Sequence, residues 1–152
     1  MAFTGSYICT TFYTKLYDAQ INTTTDTFRV ALYDSTASLT SATTAYTATG
    51  ELPTAGGYTA AGVVVTLSYA TIQTQNGPMV VLTMTTPSWA AATFTCRGAM
   101  LYDDTAAGNP AMMIFDFGTD KSPVAETFNM IIPPATANAG LIVSQTVMNT
   151  PY

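Results

Sequence analysis

No histidine occurs anywhere in the 152 residues. That absence removes Ser-His-Asp and Cys-His nucleophilic sites, imidazole-bearing zinc sites and the commonest general base together. Charge is scarce as well: Asp, Glu, Lys and Arg make up 9% of the chain, against about 25% in an ordinary soluble domain. Only Lys15, Arg29, Arg97 and Lys121 are basic, and the formal net charge is −5. So few cations cannot neutralise a row of phosphates, so no nucleic-acid partner is expected. No apolar run approaches the ~20 residues of a membrane helix, so no membrane partner is expected either. The first charge is Lys15. No basic stretch therefore opens a signal peptide, and the expectation is a chain made in a cytoplasm and kept as synthesised. Two cysteines, Cys9 and Cys96, fit no metal-ligand spacing. They read as small buried hydrophobes, with a disulfide as the alternative.

What is present is apolar: 48% of the residues are hydrophobic and 11% are aromatic. The length suits a single domain over residues 1–152, able to bury about 70% of its extended-chain surface without staples. Its surface must then be Thr, Ser, Ala and backbone, which does little to keep molecules apart. Much of that surface is expected to lie against other subunits.

Ile8, Phe12 and Leu16 recur at helical spacing between Gly5 and Ile21, with Tyr13 and Tyr17 beside them. This predicts an amphipathic helix over residues 4–21, capped by Thr4 or Ser6. The rest reads as β. Phe28, Val30 and Leu32 alternate with Arg29 and Ala31, as in a half-buried strand. A Thr- and Ala-rich arm follows over residues 35–57. It is longer than an ordinary connection and is expected to be ordered by Tyr46, Leu52 and, just beyond it, Tyr58. Further strands are expected at Val63–Tyr69, Met79–Met84, Phe94–Tyr102, Ala111–Phe117 and Val124–Ile132, with a final strand and tail over 141–152. Asn76-Gly77 is a hairpin signal, and Trp89 reads as part of a bend. The pattern indicates an antiparallel β-sandwich or a Greek-key, jelly-roll-like barrel with one short helix. The run Met112–Phe117 is apolar on both faces. Phe115 is assigned to the core and Ile114 to a second sheet or another subunit.

The carboxylates Asp34, Asp103, Asp104, Asp116, Asp120 and Glu126 are the remaining chemical candidates. A glycosidase would need two of them facing across a cleft, but five of the six sit at or near turns. Asp103, Asp104 and Asn109 carry calcium-type oxygens without an EF-hand loop. No catalytic residue, metal or cofactor is assigned. Leu-Tyr-Asp occurs at Leu16, Leu32 and Leu101. It reads as punctuation in which Leu enters the core, Tyr reaches the edge and Asp begins a turn. Tyr-rich loops can also stack on sugars, which leaves a carbohydrate-binding reading open.

Six segments carry a resemblance: FRVALY at Phe28 to Tyr33, AYTATGE at Ala45 to Glu51, GYTAAG at Gly57 to Gly62, PSWA at Pro87 to Ala90, CRGAMLY at Cys96 to Tyr102 and DFG at Asp116 to Gly118. In this order they resemble a family of small virion proteins of tailed bacteriophages, over roughly Phe12 to Val143. The chain departs from that pattern at Ala61, where Gly is expected, and at Cys96, where Ala is expected. The resemblance implies a structural protein with no active site. The first expectation is a capsid decoration (cement) protein on the head exterior, a homo-oligomer such as a trimer that bridges major capsid subunits. A tail or fibre-attachment component and a carbohydrate-binding adhesion module are the alternatives. The interface residues expected for it are Tyr46, Leu52, Tyr58 and Ile114.

Overall fold

The computed structural model describes residues 3–74, 77–133, 135 and 142–145. The fold is mainly β with one short helix, and every strand pairing is antiparallel. In chain order the elements are β1 (Tyr7–Ile8), α1 (Thr10–Tyr17), β2 (Phe28–Tyr33), β3 (Val63–Val65), β4 (Leu67–Thr74), β5 (Gly77–Met84), β6 (Ser88–Thr93), β7 (Cys96–Asp103), β8 (Ala111–Lys121), β9 (Val124–Asn129) and β10 (Ile142–Gln145). They form a five-stranded sheet in the order β1-β8-β7-β2-β3, a three-stranded sheet β10-β5-β4, and the pair β6-β9.

The five-stranded sheet is buried on both faces. Phe28, Val30, Leu32, Ala99 and Leu101 share a core with Leu67, Leu82 and Met84 of the second sheet, Trp89 of β6 and Phe12 of α1. Ala31, Tyr33, Met100, Tyr102 and Ile114 face the other way. They are covered by Phe3, Cys9 and the arm residues Ala37 and Leu39. β2 is therefore not the half-wet strand its alternation predicts, because the chain's own arm lies over the second face. Gly98 makes that close cover feasible: a Cβ there would meet the Phe3 ring at 2.5 Å and overlap the Phe115 carbonyl.

The helix is shorter than the apolar stripe predicts. Tyr7 and Ile8 leave it to pair with Ile114 and Met113 along the edge of β8. Cys9 rather than Thr4 or Ser6 occupies the N-cap, without a side-chain bond. Of the stripe only Phe12 is fully buried; Leu16 is 40% exposed. The alternation Val63–Tyr69 also divides, because the chain changes sheets at Thr66, where Thr85 N–H donates to the Thr66 carbonyl. Periodicity fixes which side chains share a face but not which sheet receives them.

β4 and β5 form the expected hairpin with Thr74 opposite Gly77, so Gly77 is a strand residue; Gln75 and Asn76 lie outside the described residues. Trp89 sits buried within β6 rather than in a bend. β8 runs on through Gly118 to Lys121, and β9 stops at Asn129. A register shift opposite Leu101 and Tyr102 turns both Met112 and Met113 into the first core. Beyond it Phe115 is only half-buried, a correction to its assignment as a core residue, whereas Ile114 is fully buried within the chain itself. Of the final strand and tail, β10 adds to the free side of β5, and residues 141 and 146–152 lie outside the described residues. The cysteines are free, Cys9 in one core and Cys96 in the other. Burial pushes their thiols up to about 11 and about 12.

The two strand copies of Leu-Tyr-Asp are neighbours in one sheet. β2 and β7 pair with Leu32 opposite Ala99 and Val30 opposite Leu101. The leucines are in the core as expected, but the tyrosines are buried too. Each aspartate begins a turn: Asp34 Oδ1 accepts from Thr36 N–H and Oγ1, and Asp103 Oδ1 accepts from the N–H groups of Thr105 and Ala106.

Candidate functional site

The arm has no regular strand, yet it is held along its whole length. β3 covers the edge of β2 only from Phe28 to Val30. Beyond that point the arm takes over: Glu51 bridges Tyr33, and Leu52 N–H donates to the Leu32 carbonyl. The remaining donor, Leu32 N–H, has no backbone partner there and is met by the Tyr58 hydroxyl at 3.0 Å. Farther out, Tyr46 N–H donates to the Asn109 carbonyl and Thr93 N–H to the Gly56 carbonyl.

At the centre is one half-buried carboxylate. Glu51 Oε1 accepts from the Tyr58 hydroxyl at 2.6 Å and from Ala61 N–H at 2.6 Å, while Oε2 accepts from the Tyr46 hydroxyl at 2.5 Å. Two more tyrosines donate to backbone carbonyls of the covering segments: Tyr33 to Thr47 at 2.6 Å and Tyr102 to Ala61 at 2.8 Å. The Tyr46 and Tyr102 rings stack with centroids 4.6 Å apart. Buried hydroxyls without partners would be costly, so each of the four secures its own position by holding the arm down. Burial first, and the Glu51 charge in addition, hold Tyr33, Tyr46 and Tyr58 well above the ordinary tyrosine range; burial pushes Tyr102 up to about 12. All four are neutral donors at physiological pH, suited to fastening rather than to proton transfer.

Glu51 was not among the carboxylates singled out from the sequence. Its signal was the one acid in a long uncharged arm, set between Tyr46 and Tyr58. Of the four expected interface residues, Leu52, Tyr58 and Ile114 are buried inside their own chain and Tyr46 is half-buried. Leu52 and Tyr58 anchor the arm to its own sheet, Ile114 lies beneath its cover, and Tyr46 keeps part of its ring at the surface. Glu51→Gln keeps one carbonyl oxygen but places an amide against the Tyr46 hydroxyl and removes the charge from three hydrogen bonds. It should cost about 1–2 kcal/mol, as read from urea unfolding midpoints.

The other carboxylates are dispersed. Asp104 pairs with Arg29 at 2.7 Å and accepts from Asn109, and Asp116 and Asp120 flank Arg97 at 3.3 and 3.5 Å. Asp34 caps its turn, and Glu126 is exposed. Asp103 is fully buried, and burial pushes its carboxyl up, with the Asp26 carboxylate adding to that against two N–H donors. Asp103 Oδ1 and both Asp104 carboxylate oxygens accept from protein donors, Asp103 Oδ2 is buried without a partner, and no metal-holding cluster of three acidic or thiol groups occurs among the described residues. Among those residues no helix is long and apolar enough to cross a membrane.

Two of the surface grooves are lined largely by aromatic and aliphatic side chains. One, about 310 Å³, is lined by Phe115, Phe117 and Phe128 together with the polar residues Ser6, Asp116, Lys121 and Asn129. The other, about 300 Å³, lies between α1 and the β4-β5 hairpin and is lined by Phe12, Tyr13, Leu16, Tyr17, Tyr69 and Val80. Five of the eight large hydrophobic residues exposed on the described surface border this second groove, Tyr17 at 85% and Tyr69 at 64% exposure. No protein-family model, curated protein or solved structure matches the chain.

Proposed function

We propose that the chain is a non-enzymatic structural protein of a tailed-bacteriophage virion, and specifically a decoration protein that stabilises the head from outside by bridging major capsid subunits. The observation that carries this reading is the clasped arm beside a weakly charged flank. A doubly covered sheet makes a rigid body, and the exposed apolar side chains gathered around the α1 groove form a surface that gains from being covered by protein. The sequence resemblance points the same way. Such a protein acts by burying surface across capsid junctions, which raises the free energy needed to separate the subunits.

Quantitative staining of purified particles tests this. The chain is expected in proportion to the major capsid protein, on intact heads and accessible from outside. Heads that lack it should release DNA at a lower temperature, and added purified chain should restore the higher one. A few copies found with tails would instead establish the tail or fibre-attachment role. The groove lined by three phenylalanines and several polar side chains favours one second reading, a carbohydrate-binding adhesion module. Binding to a glycan array that is lost in Phe117→Ala would support it over decoration.

A further inference from the structure

Val63–Thr74 forms the outer edge of two sheets in succession. β3 is the last strand of the five-stranded sheet and β4 the last of the three-stranded one, with a single residue, Thr66, between them. Among the described residues no strand pairs with the outer side of either. Soluble proteins blunt such edges with charge, proline, bulges or short length. Here the run is VVVTLSYATIQT, with no charged residue and no proline. The β4-β5 register is unbroken over eight pairs, so β4 carries no bulge. Val64 and Tyr69 stand exposed along it, at 58% and 64%.

We infer that this edge pairs with the same edge of a second copy, antiparallel about a two-fold axis, so that the two three-stranded sheets become one six-stranded sheet. The occupant follows from what could match β4 in length and chemistry. The other open edges among the described residues are poorer partners. β1 has two residues and β10 four. β9 carries Glu126 and a left-handed Ala125 at φ 51°, and β6 is interrupted by a left-handed Ala91 at φ 49° and by register shifts. An eight-residue, uncharged, unbulged edge finds its equal in another copy of itself, and an antiparallel two-fold pairing is self-complementary. Each added backbone hydrogen bond then satisfies a donor on one copy and an acceptor on the other. A strand laid beside β4 also places its side chains next to Tyr69, at the border of the apolar groove. The two-fold pairing is an alternative to the trimer that the resemblance implies. The pairing concerns the isolated chain and does not depend on the virion reading.

The test is the mass of the purified chain by sedimentation equilibrium at micromolar concentration, for the wild type, for Ser68→Lys/Thr71→Lys and for the control Val124→Lys. Ser68 and Thr71 are both exposed, so lysine should leave the fold intact while placing like charges across the axis. The expected result is twice the chain mass for wild type and control, and a folded monomer for the double variant. Hydrogen exchange on the wild type supplies a second readout: alternate β4 amides, those facing away from β5, should be protected above the dissociation concentration and exchange on dilution below it. That measurement decides the matter even if the double variant fails to fold. A monomeric or trimeric wild type, a dimer unaffected by both lysines, or β4 amides whose exchange ignores concentration would each overturn the pairing.

Discussion

Gly62→Ala should unfold most of the chain, at a cost of about 4 kcal/mol or more. Gly62 ends the GYTAAG segment and delivers the chain into β3 at φ 76°, in the left-handed region. A Cβ at that position would overlap the Val30 carbonyl oxygen and lie 2.7 Å from the Ala31 Cα, and both belong to the backbone of β2, which cannot yield. Its neighbour supplies the internal control. Ala61 also has positive φ, 73°, with no glycine to relieve it. Ala61→Gly removes left-handed strain of roughly 1–2 kcal/mol and gives back part of it through a more flexible unfolded chain. A net gain of about 0.5–1 kcal/mol is expected. Urea denaturation of the two single variants should therefore move the midpoint in opposite directions. A tolerated Gly62→Ala would mean that β2 is not fixed where the clasp requires it. The left-handed backbone is also the physical reason that glycine is expected at position 61 in the resembling family.

Stability should fall steeply in alkali. Tyr33, Tyr58 and Tyr102 are 0%, 2% and 1% exposed, and each holds its proton more tightly folded than unfolded. A group with a raised folded-state value contributes stability that is complete below its unfolded value, near pH 10 for tyrosine, and is lost as pH rises through the folded one. Each group contributes about 1.4 kcal/mol per pH unit in that window. Three of them remove about 4 kcal/mol between about pH 9 and pH 11. The thiols of Cys9 and Cys96, pushed up to about 11 and about 12, begin the decline at the lower end of the range. Urea unfolding at the two pH values, with tyrosinate absorbance to follow ionisation, measures the loss. Tyr58→Phe should reduce the loss over that interval by about 1.4 kcal/mol. Tyrosines that ionise near pH 10 with the fold intact would show that the hydroxyls are not held as described.

Sequence by itself determined the class of fold, because the alternations at Phe28–Leu32 and Leu67–Tyr69 and the turn residues at Asp34 and Asp103 are local features with local causes. It also determined that chemistry depending on imidazole is unavailable and that the surface is poor in charge. Although Leu39, equally buried, was not singled out, most of the arm's anchors were legible as well, since Tyr46, Leu52 and Tyr58 are large apolar groups in and beside a mostly small-residue stretch. Their direction was not. Whether a tyrosine on a long arm faces its own sheet or a neighbour depends on what the sheet leaves open, here the edge of β2 beyond Val30. The same holds for Glu51, whose three donors come from Tyr46, Tyr58 and Ala61 only once the arm has folded back. Only tertiary structure divided Val63–Thr74 between two sheets and left that run at the edge of both. Pairing partners are long-range, and a hydrophobic period specifies a face without specifying a neighbour.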